Sequence, residues 1–527
     1  MMTTMSKAIP VSVARLRAWR VGRLWMAAGS AALLTGLVRV LGFGRSADVW
    51  VDEVYYWHIG HSVEAGGFPR YQGDLFFLHP PGFFYLEGTW ERLFGWRPDV
   101  ISGVYEMRLL NALLAGVTVV VLVLLVARLT KSTWAAAAVG LVFALDPFVL
   151  RLNQRVLIET SMMLWLLLGY LVLLPLAERH PPARGYRRAA AGGLLFGLAI
   201  LTKDVAALIT VLPLLVVSVF AWPLRRRSLS LLAAGCATLP YAIYVVVVAA
   251  AGHFDVFWTV KTLGVKRLLG QVQATGFNAR GSPPLSQRIV EELTNFGSTY
   301  VLLALGIPAL VVLLRRGGPA QRLMALWYLS AGFATAYAVL KGTLEEQVTY
   351  LLLVPTMVIV AMAAVQLHER RTLTKRRRAV SFPVAGMVLT LVLALAWSSV
   401  AYARSRAQPD NGYAQMRHYM IEHLPAGSPV ISTSSSVDLI LDDRYRIGQW
   451  FKPQDRARAK VSYLVVPWRL VEQGYSWFTP RQVHSLARQG ALLFSFNGRT
   501  YGTVAVYLLP VPPSQPLGIG NAGGGGG

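Results

Sequence analysis

Residues 109–126 read LLNALLAGVTVVVLVLLV, with no charged side chain and one amide, Asn111. At about 1.5 Å of rise per helical residue this run nearly crosses the ~30 Å hydrocarbon core of a bilayer. Similar runs recur at 205–221, 301–314 and 348–365. A soluble core has no use for so many. The whole chain of 527 residues agrees, being 54% hydrophobic and only 15% charged, with a mean hydropathy of +0.47. Such a composition describes a membrane protein.

Working outward from that run, the apolar pattern predicts about eleven spans, at 24–43, 108–127, 134–150, 157–176, 189–203, 204–222, 229–251, 298–314, 323–340, 348–367 and 380–402. The fifth and sixth meet at Lys203 and Asp204, so they are expected to form a tight hairpin with a charged tip. The first follows a basic segment like that of a secretory signal, but its apolar run is long and no small-x-small cleavage site follows, so it is read as a retained anchor.

Basic residues alternate from one connection to the next. Arg15, Arg17, Arg20 and Arg23 precede the first span; Arg128/Lys131, Arg184/Arg187/Arg188, Arg225 to Arg227, Arg315/Arg316/Arg322 and Arg370 to Arg378 follow on every second connection. These sides are expected to be cytoplasmic, which makes most of the +25 formal charge topogenic. Nucleic acid is therefore not needed to explain it, and no basic segment carries the aromatic interleaving of a nucleic-acid module. The lone Cys236 permits no intrachain disulfide.

Four parts follow: a cytoplasmic basic N-terminus at 1–23, a transmembrane domain at 24–403 with an outer catalytic loop at 44–107, a soluble extracytoplasmic α/β domain at 404–510, and a disordered tail at 511–527. In the soluble part, residues 461–466, 491–496 and 503–509 read as strands, and 414–423 and 481–489 as helices. The outer segments 44–107, 252–297 and 403–527 are long, whereas the cytoplasmic ones are short and basic. Specific work is thus expected on the outer face, in a multi-pass cell-membrane protein with its N-terminus inside and its C-terminal domain outside.

Ionisable residues at outer span ends are costly unless they face a cavity or a partner. Four groups stand there: Asp52/Glu53, Arg151/Arg155/Glu159, Lys203/Asp204 and Lys341/Glu345/Glu346. Cations neutralise a phosphate, and a carboxylate can take a proton from a hydroxyl. Sugar transfer from a polyprenyl phosphate needs both. For Asp52/Glu53 the bland alternative is helix capping; for Lys203, a side chain reaching from a span end toward the interface; for Arg155 and Glu159, a structural ion pair across one helix face. His79, before two prolines, also reads as a turn residue. No other His or Cys has ligand spacing, so no structural zinc is expected.

The string Asp52-Glu53-Val54-Tyr55-Tyr56-Trp57, followed by His79-Pro80-Pro81-Gly82-Phe83-Phe84-Tyr85, resembles the first outer loop of GT-C glycosyltransferases, in particular the protein O-mannosyltransferase and lipid A aminoarabinose transferase families. Leu201-Thr202-Lys203 with Ala206 is similar to their Thr-Lys-x-x-x-Ala span end, Asp146-Pro147 through Arg155 and Glu159 to their second acidic outer loop, and Lys341-Gly342 with Thr349-Tyr350-Leu351 and Pro355 to their late elements. The likeness covers most of residues 40–360. It departs at Leu78-His79-Pro80, where the aminoarabinose branch has Glu-Lys-Pro.

The resemblance implies a mostly helical GT-C membrane domain and an inverting transfer from a polyprenyl-phosphate sugar to a glycan, lipid or protein hydroxyl. It makes Asp52 the catalytic base with Glu53 beside it, and Lys203, Lys341 and Arg155 the holders of the donor phosphate. His79, Tyr55, Glu159, Arg288 and Tyr350 are further candidates for substrate contact. No metal ligand set is expected; a divalent cation beside the acids is left open as a cofactor. The rival class is a transporter or lipid flippase, against which stand the absence of an internal repeat and the clustering of charge at outer span ends.

Overall fold

The computed structural model describes residues 11–510 apart from 96, 98, 178–183, 221–223, 225, 272–283, 374–380 and 462. The tail at 511–527 and Arg280 lie outside the described residues. The membrane domain consists of α1 (Val11–Val40), α2 (Val51–Ser62), a hairpin of β1 (Arg70–Tyr71) and β2 (Asp74–Leu75), α3 (Gly82–Phe94), α4 (Val100–Thr130), α5 (Thr133–Leu145), α6 (Pro147–Gln154), α7 (Ile158–Leu173), α8 (Gly185–Thr202), α9 (Ala206–Phe220), α10 (Arg227–Ala250), α11 (Phe254–Leu268), α12 (Leu285–Arg316), α13 (Pro319–Lys341), α14 (Glu346–Leu373) and α15 (Ser381–Ala407).

Every sequence-read span coincides with one or two of these helices, but the count by length and apolarity is lower. Among the described residues eight helices can cross a bilayer, or nine if α5 and α6, bent by 61°, form one broken span. α9 is apolar but short. α8 opens with Arg187 and Arg188 inside its first turn and does not reach the same standard. Together they form the expected hairpin, with Lys203 and Asp204 at its tip.

The bend between α5 and α6 has a local cause. Pro147 occupies the first position of α6, and Asp146 caps it by accepting from the N–H groups of Phe148 and Val149. The same carboxylate accepts from Ser298 Oγ at 2.7 Å and Thr299 Oγ1 at 3.0 Å, just past the kink of α12 at Phe296. A buried carboxylate thus joins two broken helices. Small residues bring other spans together: Gly192 and Gly169 let α8 approach α7, and Gly193 lets it approach α10, where an added Cβ would lie 2.4 Å from Ala233 O.

Within 252–297, residues Phe254–Leu268 form α11 and Leu285 begins α12. Beyond α15 stand α16 (Gly412–His423), β3 (Pro429–Ser432), α17 (Ser435–Leu441), β4 (Arg446–Gly448), β5 (Tyr463–Pro467), β6 (Ala491–Gly498) and β7 (Gly502–Leu508), with short helices at Pro453–Ala459, Trp468–Glu472 and Pro480–Ala487. The five-stranded sheet has the order β4-β3-β5-β7-β6, parallel through β3 and antiparallel from β5 onward. The three strands and two helices read from sequence are all present, whereas β3 and β4 were too short to be legible.

This α/β unit grips the segment that leads into α2. Asp48 accepts from Tyr413 N–H, Tyr501 Oη donates to Val49 O at 2.7 Å, and Tyr501 stacks on Trp50. Arg499 reaches Ser46 O and Asp410 N–H reaches Arg45 O. The first turn of α2 therefore enters the membrane domain from a fixed position.

Candidate functional site

Adjacent residues on a helix point about 100° apart, and the first turn of α2 uses that divergence. Glu53 faces inward and is fully buried. Its oxygens accept from Arg108 Nε at 2.8 Å and Nη2 at 2.7 Å, from Val156 N–H at 2.9 Å, and from Trp50 N–H at 2.8 Å. Burial alone would push this carboxyl upward, but Arg108, with the Trp50 N–H and the charge of Arg155, holds it below the usual range. Both Glu53 oxygens are thus engaged by protein donors. Glu53 clamps α2 to α4 and to the start of α7, with every strong acceptor direction already used.

Asp52 lies instead among the charges of Glu345, Glu159, Lys203 and Arg267. Among the described residues its carboxylate has one direct hydrogen bond, a long one from Gln347 Nε2 at 3.5 Å. Burial, then the negative charges of Glu345 and Glu159, push its pKa up to about 6, against the opposing pull of Lys203 and Arg267. Lys203, at the α8–α9 tip, pairs with Glu159. Arg267 of α11 pairs with Glu345 at 3.2 Å, and Lys261, one helical face earlier, pairs with Asp204 at 2.6 Å.

His79 completes the cluster. Its Nε2 lies 3.3 Å from Tyr56 Oη, and burial together with Lys203, Lys261 and Arg267 holds its pKa well below the ordinary value. It is a neutral imidazole in cationic surroundings. Tyr55 turns away from it and packs on Tyr71, ring centroids 4.8 Å apart. From the C-terminal domain, Tyr475 comes close enough to feel Glu345, Arg288, Arg267 and Asp52.

Near this charged cluster lies a polar chamber of about 670 Å³ between the membrane domain and the α/β unit. Arg151, Arg155, Arg288, Glu292, Glu346 and Arg499 are among its lining residues. Three consecutive residues divide the chamber from the cluster: Glu346 faces the chamber, where it meets Arg151 at 2.5 Å and Arg155 at 3.6 Å, while Glu345 and Gln347 face Asp52.

Several expectations change accordingly. Arg155 and Glu159 do not share a helix face, because α6 ends at Gln154 and α7 starts at Ile158. Arg155 goes to the chamber and lies over the Trp50 ring at 4.6 Å, whereas Glu159 joins the Asp52 cluster. Arg288 also lines the chamber, where its Nε and Nη2 have no hydrogen-bond partner. Tyr350 is fully buried. Lys341 ends α13 as an exposed side chain, and the two cations that act most strongly on Asp52 are Lys203 and Arg267.

Sequence reading missed Arg108, Lys261, Arg267, Gln347 and Tyr475. Arg108 could have been suspected as a cation at a span end; the others sit in segments whose folding no local pattern announced.

Residues 83–262, from α3 into α11, match the family model described as dolichyl-phosphate-mannose-protein mannosyltransferase. No curated protein sequence matches the chain. Among solved structures, the archaeal oligosaccharyltransferase AglB from Archaeoglobus fulgidus, in complex with an inhibitory peptide and a dolichol-phosphate, superposes with a TM-score of 0.58 at 13% identity, covering 93% of this chain and 74% of that one. ArnT from Cupriavidus metallidurans bound to undecaprenyl phosphate gives 0.54 at 15% identity, covering 93% and 98%. In helix order and in the small C-terminal sheet the chain shares the fold of these two solved structures.

Proposed function

We propose that the protein is a membrane glycosyltransferase that moves a sugar, with inversion, from a polyprenyl-phosphate donor to an acceptor hydroxyl, with Asp52 as the base. The observation that carries this reading is the isolation of Asp52. It is the one carboxylate of the α2 turn left without a strong partner, its pKa is raised to about 6, and Lys203 and Arg267 stand beside it.

In the reaction the acceptor oxygen bonds to the anomeric carbon as the bond from that carbon to the phosphate oxygen breaks. The hydroxyl proton passes to Asp52, and the electron pair of the broken bond stays on the phosphate. A base with a pKa near 6 is mostly ionised at neutral pH yet still able to hold a proton. Lys203, Arg267 and Lys261 each pair with a carboxylate, so an entering phosphate shares these cations, which stabilise the charge that grows on it as it leaves. Because a phosphate monoester has a second pKa near ~6, its departure needs no acid. Neutral His79 can donate or accept one hydrogen bond without adding charge.

The PMT-type match and the two solved structures, one holding a dolichol-phosphate and the other undecaprenyl phosphate, support the donor class. Purified full-length protein supplied with polyprenyl-phosphate sugars and an acceptor mixture should transfer sugar, and Asp52→Asn should not. Transfer unchanged in Asp52→Asn overturns the assignment of the base.

The reaction is placed on the outer face, with the N-terminus inside. Exposed Ser485 in the α/β unit and Ser62 at the end of α2, changed singly to Cys, should both react with an impermeant thiol reagent in intact cells. Ser434, although in the same domain, is buried by Ser432 and Ser436 and would not report. Reaction at only one of the two positions contradicts this topology.

A further inference from the structure

We propose that His61, Glu64 and Glu91 form a divalent-cation site, with Zn²⁺ the ion best matched to it, that ties the C-terminal end of α2 to α3. It lies outside the Asp52 cluster and has no part in the chemistry proposed for Asp52. His61 and Glu64 flank the end of α2, and Glu91 comes from α3. One ligand atom from each gathers within 4.8 Å of the others.

The separations suit a metal. Bonds of about 2.0–2.1 Å from zinc to imidazole nitrogen and carboxylate oxygen, arranged tetrahedrally, set neighbouring ligand atoms roughly 3.3–3.4 Å apart. Here His61 Nδ1 is 3.2 Å from Glu91 Oε2 and 3.6 Å from Glu64 Oε2. One imidazole with two carboxylates is a borderline donor set that favours zinc over calcium or magnesium, which prefer all-oxygen shells.

A second observation points the same way. Glu91 is 2% exposed, and its Oε1 has no hydrogen-bond partner. One turn earlier on α3, Glu87 is fully buried with both oxygens unpartnered, packed against Gly60, which precedes His61. Two buried acids on one helix face carry a large desolvation cost, and a partly exposed histidine is a weak counter-charge for them. A dication offsets that cost directly. Along the chain the cluster is hidden, because Glu91 lies 30 residues from His61.

The site would fix the far end of the helix whose first turn carries Asp52. Full-length protein stripped with a chelator and titrated with Zn²⁺ should bind one ion per chain and rise in Tm. Glu91→Gln should weaken binding at least tenfold and abolish the rise, and the more exposed Glu64→Gln, which carries little folding risk, should weaken it in the same sense. Asp52→Asn should bind as the wild type does. Equal affinity in wild type, Glu91→Gln and Glu64→Gln, or loss of the ion in Asp52→Asn alone, would overturn the proposal.

Discussion

Asp52 and Glu53 are neighbours in one helical turn, yet their two sides of α2 are opposite kinds of environment. On the Glu53 side every charge is matched: a bidentate guanidinium and two backbone N–H groups meet one carboxylate in full burial. On the Asp52 side charges outnumber matches, and the acid sits among Glu345, Glu159, Lys203 and Arg267 with one long hydrogen bond. A saturated carboxylate cannot take a proton from a substrate, and an unsaturated one contributes little to folding. The pair shows a division of labour between scaffold and reactive group over a single residue step.

The strongest way to break that comparison is to remove the clamp. Glu53→Gln leaves the Arg108 guanidinium buried without its counter-charge, which costs roughly 3–5 kcal/mol for a pair of this kind. Folded yield in the membrane fraction and Tm should collapse, more than for any substitution in the Asp52 cluster. A Glu53→Gln protein that folds normally but has lost transfer would make Glu53 the reactive acid after all.

Asp52→Asn should do the converse. Transfer should fall by roughly 10² or more with little change in donor affinity, and the protein should not lose stability. The sign follows from the raised pKa. A folded-state value of about 6, above the ordinary carboxyl value of 3.8, means that ionising Asp52 opposes folding; the cost is absent below pH 4, grows between 4 and 6, and is complete above 6. Asn removes it, so Tm should rise by a few degrees at pH 7 and match the wild type at pH 4. Equal Tm differences at both pH values would detach the effect from ionisation.

The same pKa predicts a rate that climbs with pH and levels off above about 6. Glu345 raises the Asp52 pKa, so Glu345→Gln should move the midpoint of that rise to lower pH. It should also lower the plateau modestly, since a weaker base accepts the proton less well. A midpoint that stays put would show that another group controls the profile.

The apolar spans and the acid pair just past the first of them were legible because both follow from local pattern. What stayed hidden depended on distant partners. Asn111, the one amide in the run at 109–126, donates to the carbonyls of Arg155 and Leu157, so the break that separates Arg155 from Glu159 is satisfied from another helix. Arg267 and Lys261 were concealed because 252–297, rich in Gly and Pro near its middle, gave no sign that its first part continues as a helix beside the Asp52 cluster. Divergence between Asp52 and Glu53 could be foreseen from helix geometry, but which one met Arg108 could not.

The finest test concerns the cations, where sequence likeness named Lys341 and the structure offers Arg267. Arg267 pairs with Glu345, acts on Asp52 and adds to the charge felt by His79. Lys341 ends α13 as an exposed side chain, four residues before Glu345. A charge-assisted contact to phosphate is worth about 1.5–3 kcal/mol, so Arg267→Ala should raise the donor KM by roughly tenfold or more, and Lys341→Ala by no more than about twofold. A second readout separates electrostatics from mere loosening of α11. Arg267 lowers the Asp52 pKa, so its removal should shift the pH midpoint upward, opposite to Glu345→Gln, while Lys341→Ala should leave the midpoint in place. If Lys341→Ala carried the larger KM effect, the donor phosphate would sit at the end of α13, and Asp52 would face the acceptor without the phosphate beside it.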